Sequence, residues 1–169
     1  MQVGFIGLGI MGAPMAEHLI AGGHSLAVFG GRRVPDSIRG KATLCKTIKE
    51  VAETSEVIIL MVPDTPDVEA VLFGADGVAA GLKTGKIVVD MSSISPIETK
   101  KFAARINELG CEYLDAPVSG GEVGAKAASL TIMIGGAQAA FDKICVGRWR
   151  WGQAPGRDEG AACSDRAQG

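Results

Sequence analysis

A chain of 169 residues is long enough for one complete core, and a typical domain of about 100–150 residues nearly exhausts it. With 17 Lys and Arg against 19 Asp and Glu, a formal charge of −2 and no long basic run, it lacks the electrostatic footprint for nucleic acid or an anionic membrane. A small-molecule partner is favoured. The four cysteines, Cys45, Cys111, Cys145 and Cys163, lie far apart with no Cys-x-x-Cys pair, which argues against a zinc site or disulfide framework and for reduced thiols in a cytoplasm.

The apolar opening from Met1 to Ile20 carries Glu17 and His18 and meets its first positive charge only at Arg32, so it reads as buried strand and helix rather than signal peptide or membrane span. Val3, Phe5 and Ile6 form a run that stops at Gly7, and apolar residues then recur at Met11, Met15 and Leu19 with helical spacing. After Gly22-Gly23 the pattern predicts a strand over Ser25–Phe29, a helix near Thr47–Thr54 and a strand over Val57–Val62. Pro63 and Pro66 end that strand and open a helix around Asp67–Phe73. A strand follows at Ile87–Asp90, then a helix starting at Ser95-Pro96 with Lys100, Lys101 and Arg105 on its solvated face. Strands at Cys111–Leu114 and Leu130–Ile134 complete the alternation. Strands and helices alternating through short loops specify an α/β fold with a mostly parallel sheet flanked by helices.

Composition changes near Val146. From Gly147 onward there is no Val, Ile, Leu, Met or Phe. Such a segment buries too little apolar surface to offset its ordering entropy, so the reading is one domain over 1–146 and a disordered tail over 147–169.

Gly7-Leu8-Gly9-Ile10-Met11-Gly12 has the G-x-G-x-x-G spacing, directly after a predicted strand and at the start of a predicted helix. In that context Gly7 permits the tight turn, Gly9 lets the backbone approach a pyrophosphate, Gly12 lets the helix pack on the sheet, and the helix N-terminus faces the anion. A carboxylate at the end of the second strand would hold the ribose 2′-hydroxyl of NAD, but Gly30 and Gly31 stand there. Arg32 and Arg33 follow and are placed to pair with a 2′-phosphate, which favours NADP over NAD; the alternative is that both arginines solvate a loop.

Three stretches agree in order with one family: Phe5 to Leu19 around the glycine motif, Asp90-Met91-Ser92-Ser93-Ile94-Ser95-Pro96, and Asp115-Ala116-Pro117-Val118-Ser119-Gly120-Gly121. Together they resemble the β-hydroxyacid dehydrogenases over about Met1 to Ile144. The resemblance implies a Rossmann-like, doubly wound domain, followed in the family by an all-helical domain through which its members oligomerise and which this chain is expected to lack. It implies that Gly7 to Gly12 hold the pyrophosphate, Met61, Val62 and Pro63 line the nicotinamide side, and Ser93 contacts the nicotinamide ribose region. It further implies that Ser119, Gly120 and Gly121 grip the carboxylate of a small hydroxy or oxo acid, a role a Ser-Gly-Gly turn suits through its hydroxyl and unhindered N–H groups. The implied reaction is NAD(P)H-dependent reduction of tartronate semialdehyde to glycerate, with 3-hydroxyisobutyrate as the alternative substrate.

Two departures stand out. The family usually has Gly where Ala128 stands and Thr where Ser129 stands; if that position needs positive φ, Ala128 introduces strain of about 1 kcal/mol. The family's catalytic lysine lies on the first long helix after the Rossmann domain, and neither Lys126 nor Lys143 matches it. Reduction of an aldehyde needs an acid to protonate the developing alkoxide. The sequence therefore predicts no catalytic residue in this chain, a tail read from a frameshifted or truncated gene, and either an inactive form or a non-catalytic NADP-binding module. His18 and His24 read as structural.

Overall fold

The computed structural model describes residues 1–29, 34–145 and 164–165. In chain order the elements are β1 (Gln2–Ile6), α1 (Gly12–Ala21), β2 (Ser25–Phe29), α2 (Asp36–Arg39), β3 (Thr43–Cys45), α3 (Ile48–Thr54), β4 (Val57–Leu60), α4 (Thr65–Phe73) and α5 (Val78–Gly81). They continue with β5 (Ile87–Asp90), α6 (Pro96–Glu108), β6 (Glu112–Asp115), β7 (Val118–Ser119), α7 (Gly121–Ala127), β8 (Thr131–Ile134), α8 (Gln138–Cys145) and β9 (Ser164–Asp165).

Six strands form one sheet in the order β3-β2-β1-β4-β5-β6, every neighbouring pair parallel. Parallel strands covered on both faces have no polar side, which is why Val57-Ile58-Ile59-Leu60 and Ile87-Val88-Val89 are unbroken apolar runs. Successive residues point to opposite faces. Val57 and Ile59 join Val3, Phe5, Val28 and Leu114 in a core with Met15 and Leu19 of α1, while Ile58 and Leu60 join Val88 and Tyr113 against Val51, Val68, Leu72 and Phe102 of the helices opposite.

Several elements depart from the sequence reading. The strand foreseen over Val57–Val62 stops at Leu60, because the Val62 N–H turns to the Ser92 side chain instead of a ladder partner. Helix α4 begins at Thr65 rather than Asp67: the Asp64 carboxylate caps the Thr65 N–H at 2.7 Å, and Pro66 sits in the first turn, where its missing N–H costs nothing. The strand at Leu130–Ile134 does not extend the parallel sheet. As β8 it runs antiparallel to β7 in a second, small sheet, because Gly120 and Gly121, at φ of +131° and +59°, reverse the chain after β7. A bridge between Asp115 and Gly135, with N–H to carbonyl distances of 2.9 and 2.8 Å, links this sheet to the end of β6. On α6, Lys101 pairs with Glu98 at 2.7 Å, and the Arg105 guanidinium lies 3.4 Å above the Phe73 ring. The expectation of disorder over 147–169 lies outside the described residues except at Ser164–Asp165, which pairs in parallel with β8.

Candidate functional site

In-register pairs Ile6 with Leu60, Leu60 with Asp90 and Asp90 with Asp115 bring the carboxyl ends of β1, β4, β5 and β6 into one row. The segments that leave these strands, beginning at Gly7, Met61, Met91 and Ala116, therefore lie side by side. The backbone stitches them together: Met61 N–H donates to the Ile6 carbonyl (2.9 Å), Met91 to Leu60 (2.9 Å) and Ala116 to Asp90 (2.7 Å). Strand order reverses between β1 and β4, since the chain goes from β1 outward to β2 and β3 and then returns to the other side. That switch point is where an open α/β sheet leaves a crevice for a ligand.

The three glycines of Gly7–Gly12 meet three different surroundings there. Gly7 has φ +101°, and a Cβ on it would fall on the Met61 carbonyl, so the turn is closed to any side chain. A Cβ on Gly12 would strike the Gly7 carbonyl and approach Phe5 at 3.0 Å, so this glycine lets α1 lie close against β1. Beside Gly9 no atom beyond its own chain neighbours lies within 4 Å of the position a Cβ would take. Leu8 and Met11 are half-buried and Ile10 is 72 % exposed. Ala13 N–H closes the first turn on the Gly9 carbonyl at 3.0 Å. The opening turn of a helix leaves N–H groups without intrahelical partners, and with the dipole they favour an anion.

Met61 and Val62 are half-buried and Pro63 is exposed in the segment after β4. This segment is held from the neighbouring loop: Val62 N–H donates to Ser92 Oγ (3.1 Å) and Ser95 N–H donates to Thr65 Oγ1 (3.2 Å). Ser92 in turn donates its N–H to Asp90 Oδ1 (2.9 Å), and Tyr113 Oη donates to Asp90 Oδ2 (2.7 Å). Asp90, Ser92 and Tyr113 are all buried. Burial pushes the Asp90 carboxyl up, against the hydrogen bonds from Tyr113 and Ser92 that pull it down. The same burial, followed by the facing Asp90 charge, drives the Tyr113 phenol well above its ordinary value. Asp115, next to Asp90 in the row, is pushed up to about 6 by burial first and by Asp90 second.

Ser119, Gly120 and Gly121 are exposed at the start of α7, close in sequence to the bridge that ends β6. Helix α7 is tied to α1 by His18, whose Nε2 lies 3.0 Å from the Ala125 carbonyl and 3.1 Å from that of Lys126. His18 thus serves the last turn of α7 and stands in a structural place. Ala128 ends α7 at φ +53° and ψ +39°, in the left-handed region. Lys126 is exposed and paired with Glu122 at 2.6 Å, and Lys143 is exposed on α8.

Ser93 is exposed, next to the buried Ser92 that makes the loop-to-loop bond. Arg32, with Gly30, Gly31 and Arg33, lies outside the described residues. Sequence reasoning missed Asp90, Tyr113 and Ser92 as a unit. The available signal was an Asp closing the apolar run Ile87-Val88-Val89, where a covered strand would otherwise stay apolar. Among the described residues no cluster of three or more His, Cys, Asp or Glu side chains is placed to hold a metal ion, and no helix is long and apolar enough to cross a membrane.

Residues 2–145 match the family model described as the NAD binding domain of 6-phosphogluconate dehydrogenase. The chain is 54 % identical over 145 residues to 2-hydroxy-3-oxopropionate reductase of Escherichia coli, covering 85 % of this chain and 50 % of that protein. Among solved structures, Psf3 in complex with NADP+ and 2-OPP superposes with a TM-score of 0.79 at 32 % identity, covering 84 % of this chain and 51 % of that one. The 3-hydroxyisobutyrate dehydrogenase of Mycobacterium tuberculosis, solved with L-serine, gives a TM-score of 0.78 at 30 % identity over 86 % of this chain and 50 % of that one. The chain spans about half the length of the curated relatives it matches.

Proposed function

Because residues 2–145 make this chain a member of the β-hydroxyacid dehydrogenase family through its NAD-binding domain, we propose that it holds a nicotinamide dinucleotide over the carboxyl edge of its sheet and a small hydroxy or oxo acid beside it. The observation that carries the reading is the cradle at Gly9: space that nothing beyond its own chain neighbours fills, flanked by a turn and a helix contact that admit no side chain at Gly7 or Gly12. Those residues fit a pyrophosphate, with backbone N–H groups and the start of α1 toward the anion. Met61, Val62 and Pro63, in the segment that leaves the strand across the switch point, supply a half-apolar wall for the nicotinamide end, with Ser93 at the ribose. When bound, the nicotinamide gives or takes a hydride.

Ser119, Gly120 and Gly121 receive the substrate carboxylate and so orient its carbonyl, which removes rotational freedom before reaction. The substrate we favour is tartronate semialdehyde, reduced to glycerate, supported by the identity to the Escherichia coli reductase. A 3-hydroxyisobutyrate-type alcohol is the second reading, supported by the likeness to the Mycobacterium tuberculosis enzyme. NADP is favoured over NAD on the strength of Arg32. The setting is cytoplasmic, in keeping with the buried free thiols of Cys45 and Cys111, and assembly runs through the helical domain of full-length family members.

The proton that a developing alkoxide requires has no lysine assigned to it among the described residues, since Lys126 is turned to Glu122. The chain is thus expected to bind cofactor without measurable turnover of tartronate semialdehyde. Calorimetric titration with NADPH and with NADH tests the reading. Binding of either supports the dinucleotide site, with tighter binding of NADPH supporting Arg32; binding of neither would refute the site.

A further inference from the structure

The segment Met61-Val62-Pro63 has no helix or strand to fix it. Its backbone is set by Met61 N–H on the Ile6 carbonyl at one end and by Val62 N–H on Ser92 Oγ in the middle, while Pro63 has no N–H to contribute. The bond from Val62 reaches across to another loop, so its direction depends on where the Ser92 hydroxyl stands. Ser92 is fixed by its own N–H, which donates to Asp90 Oδ1 at 2.9 Å, and Asp90 is fixed by Tyr113 Oη on Oδ2 at 2.7 Å. These three residues have relative exposures of 1 %, 0 % and 4 %, so water does not compete for the bonds that Ser92 and Tyr113 make to Asp90.

A fully buried carboxyl costs stability unless every oxygen is satisfied, and packing alone would be served better by an apolar side chain. Leu60, the in-register neighbour of Asp90 on β4, is that apolar choice one strand away. Asp90 instead gives each oxygen one donor from a different element, Ser92 from the loop after β5 and Tyr113 from β6. Resting on the dinucleotide reading above, we infer that Asp90 is a positioning residue which, with Tyr113 behind it and Ser92 before it, sets the Met61–Pro63 segment for the nicotinamide end of the cofactor. It touches neither cofactor nor substrate and acts through Ser92 and the Val62 N–H.

The inference predicts an effect confined to one end of the ligand. Calorimetric affinities of the whole chain for NADPH and NADH are compared with those for 2′-phospho-ADP-ribose and ADP-ribose, which keep the adenosine and pyrophosphate and lack nicotinamide. Ser92→Ala, which removes the acceptor of the Val62 N–H, is expected to weaken the dinucleotide roughly fivefold to tenfold and leave the matching fragment within about twofold. Tyr113→Phe, which deletes only the donor behind Asp90, is expected to repeat that selectivity at about half the logarithmic size. Equal losses for dinucleotide and fragment, or no loss for either, would overturn the positioning role while leaving the dinucleotide site intact. An unsubstituted chain that takes up neither ligand would overturn the site itself and this inference with it.

Discussion

Ala128 is the one non-glycine residue with positive φ among those described, and it closes α7 where an L side chain is crowded against its own carbonyl. Ala128→Gly should raise stability by about 0.5 kcal/mol, the relief of the left-handed conformation being partly offset by the entropy of the freer unfolded chain. Urea denaturation of the two proteins would register this as a higher midpoint at unchanged slope. Gly9 offers the opposite test. No protein atom waits for a side chain there, so Gly9→Val should fold with stability within about 0.5 kcal/mol of the original yet lose dinucleotide affinity by at least about tenfold. Loss of fold and binding together would mean that the cradle is merely a turn. Asp115, pushed up to about 6, holds its proton more tightly in the native than in the unfolded chain. Its contribution to stability is therefore complete below about pH 4 and disappears as pH rises through 6, and Asp90 shifts in the same direction. Partial exposure discounts the effect to about 1 kcal/mol, and Asp115→Asn should remove that part of the slope from denaturation measured between pH 4 and 7. The glycine spacing was legible because it lies within six consecutive residues whose chemistry is local. The hydrogen-bonded chain that joins Tyr113, Asp90, Ser92 and Val62 was not, because parallel pairing alone brings segments this far apart in sequence together, and no local period marks it.

Elements long enough to show a period, or apolar enough to show a run, were readable: β1, α1, β2, β4, β5 and α6 all stand where their patterns put them to within a few residues. The three-residue β3 and the four-residue α2 and α5 carry too few positions for any period and take their shape from what they pack on. Strand β8 was located in sequence and misplaced in space, since an alternation of strand and helix does not reveal that two glycines turn the chain back on itself. The connection between α1 and α7 was likewise hidden, because it depends on one histidine meeting two carbonyls more than a hundred residues away. His18 satisfies the end of a short helix that could not hold its last turn alone. His18→Ala is expected to cost about 1 kcal/mol and to speed amide exchange in α7, from Gly124 to Ala127, well before α1 is affected. Uniform acceleration across both helices would show that His18 supports the domain at large and not that joint.

At the scale of the whole molecule, the residues proposed to meet the dinucleotide come from the ends of three strands that only the completed sheet brings into one row. An unfolded chain has no such row, so a ligand held there binds the native state alone. Linkage then fixes the size of the effect: at about a hundred times the dissociation constant the fold gains about 2.7 kcal/mol, and each further tenfold in ligand adds about 1.4 kcal/mol. For a domain of this size that is roughly 5–15 °C in melting temperature. Thermal melts of the chain with increasing NADPH should climb logarithmically without saturating, and those of Gly9→Val should follow the same course displaced to at least about tenfold higher concentration. The shape of the curve is the discriminating feature. A dinucleotide stacked weakly on exposed apolar side chains such as Ile10 or Val123 would bind folded and unfolded chains alike and leave the melt where it was, however much of it was added.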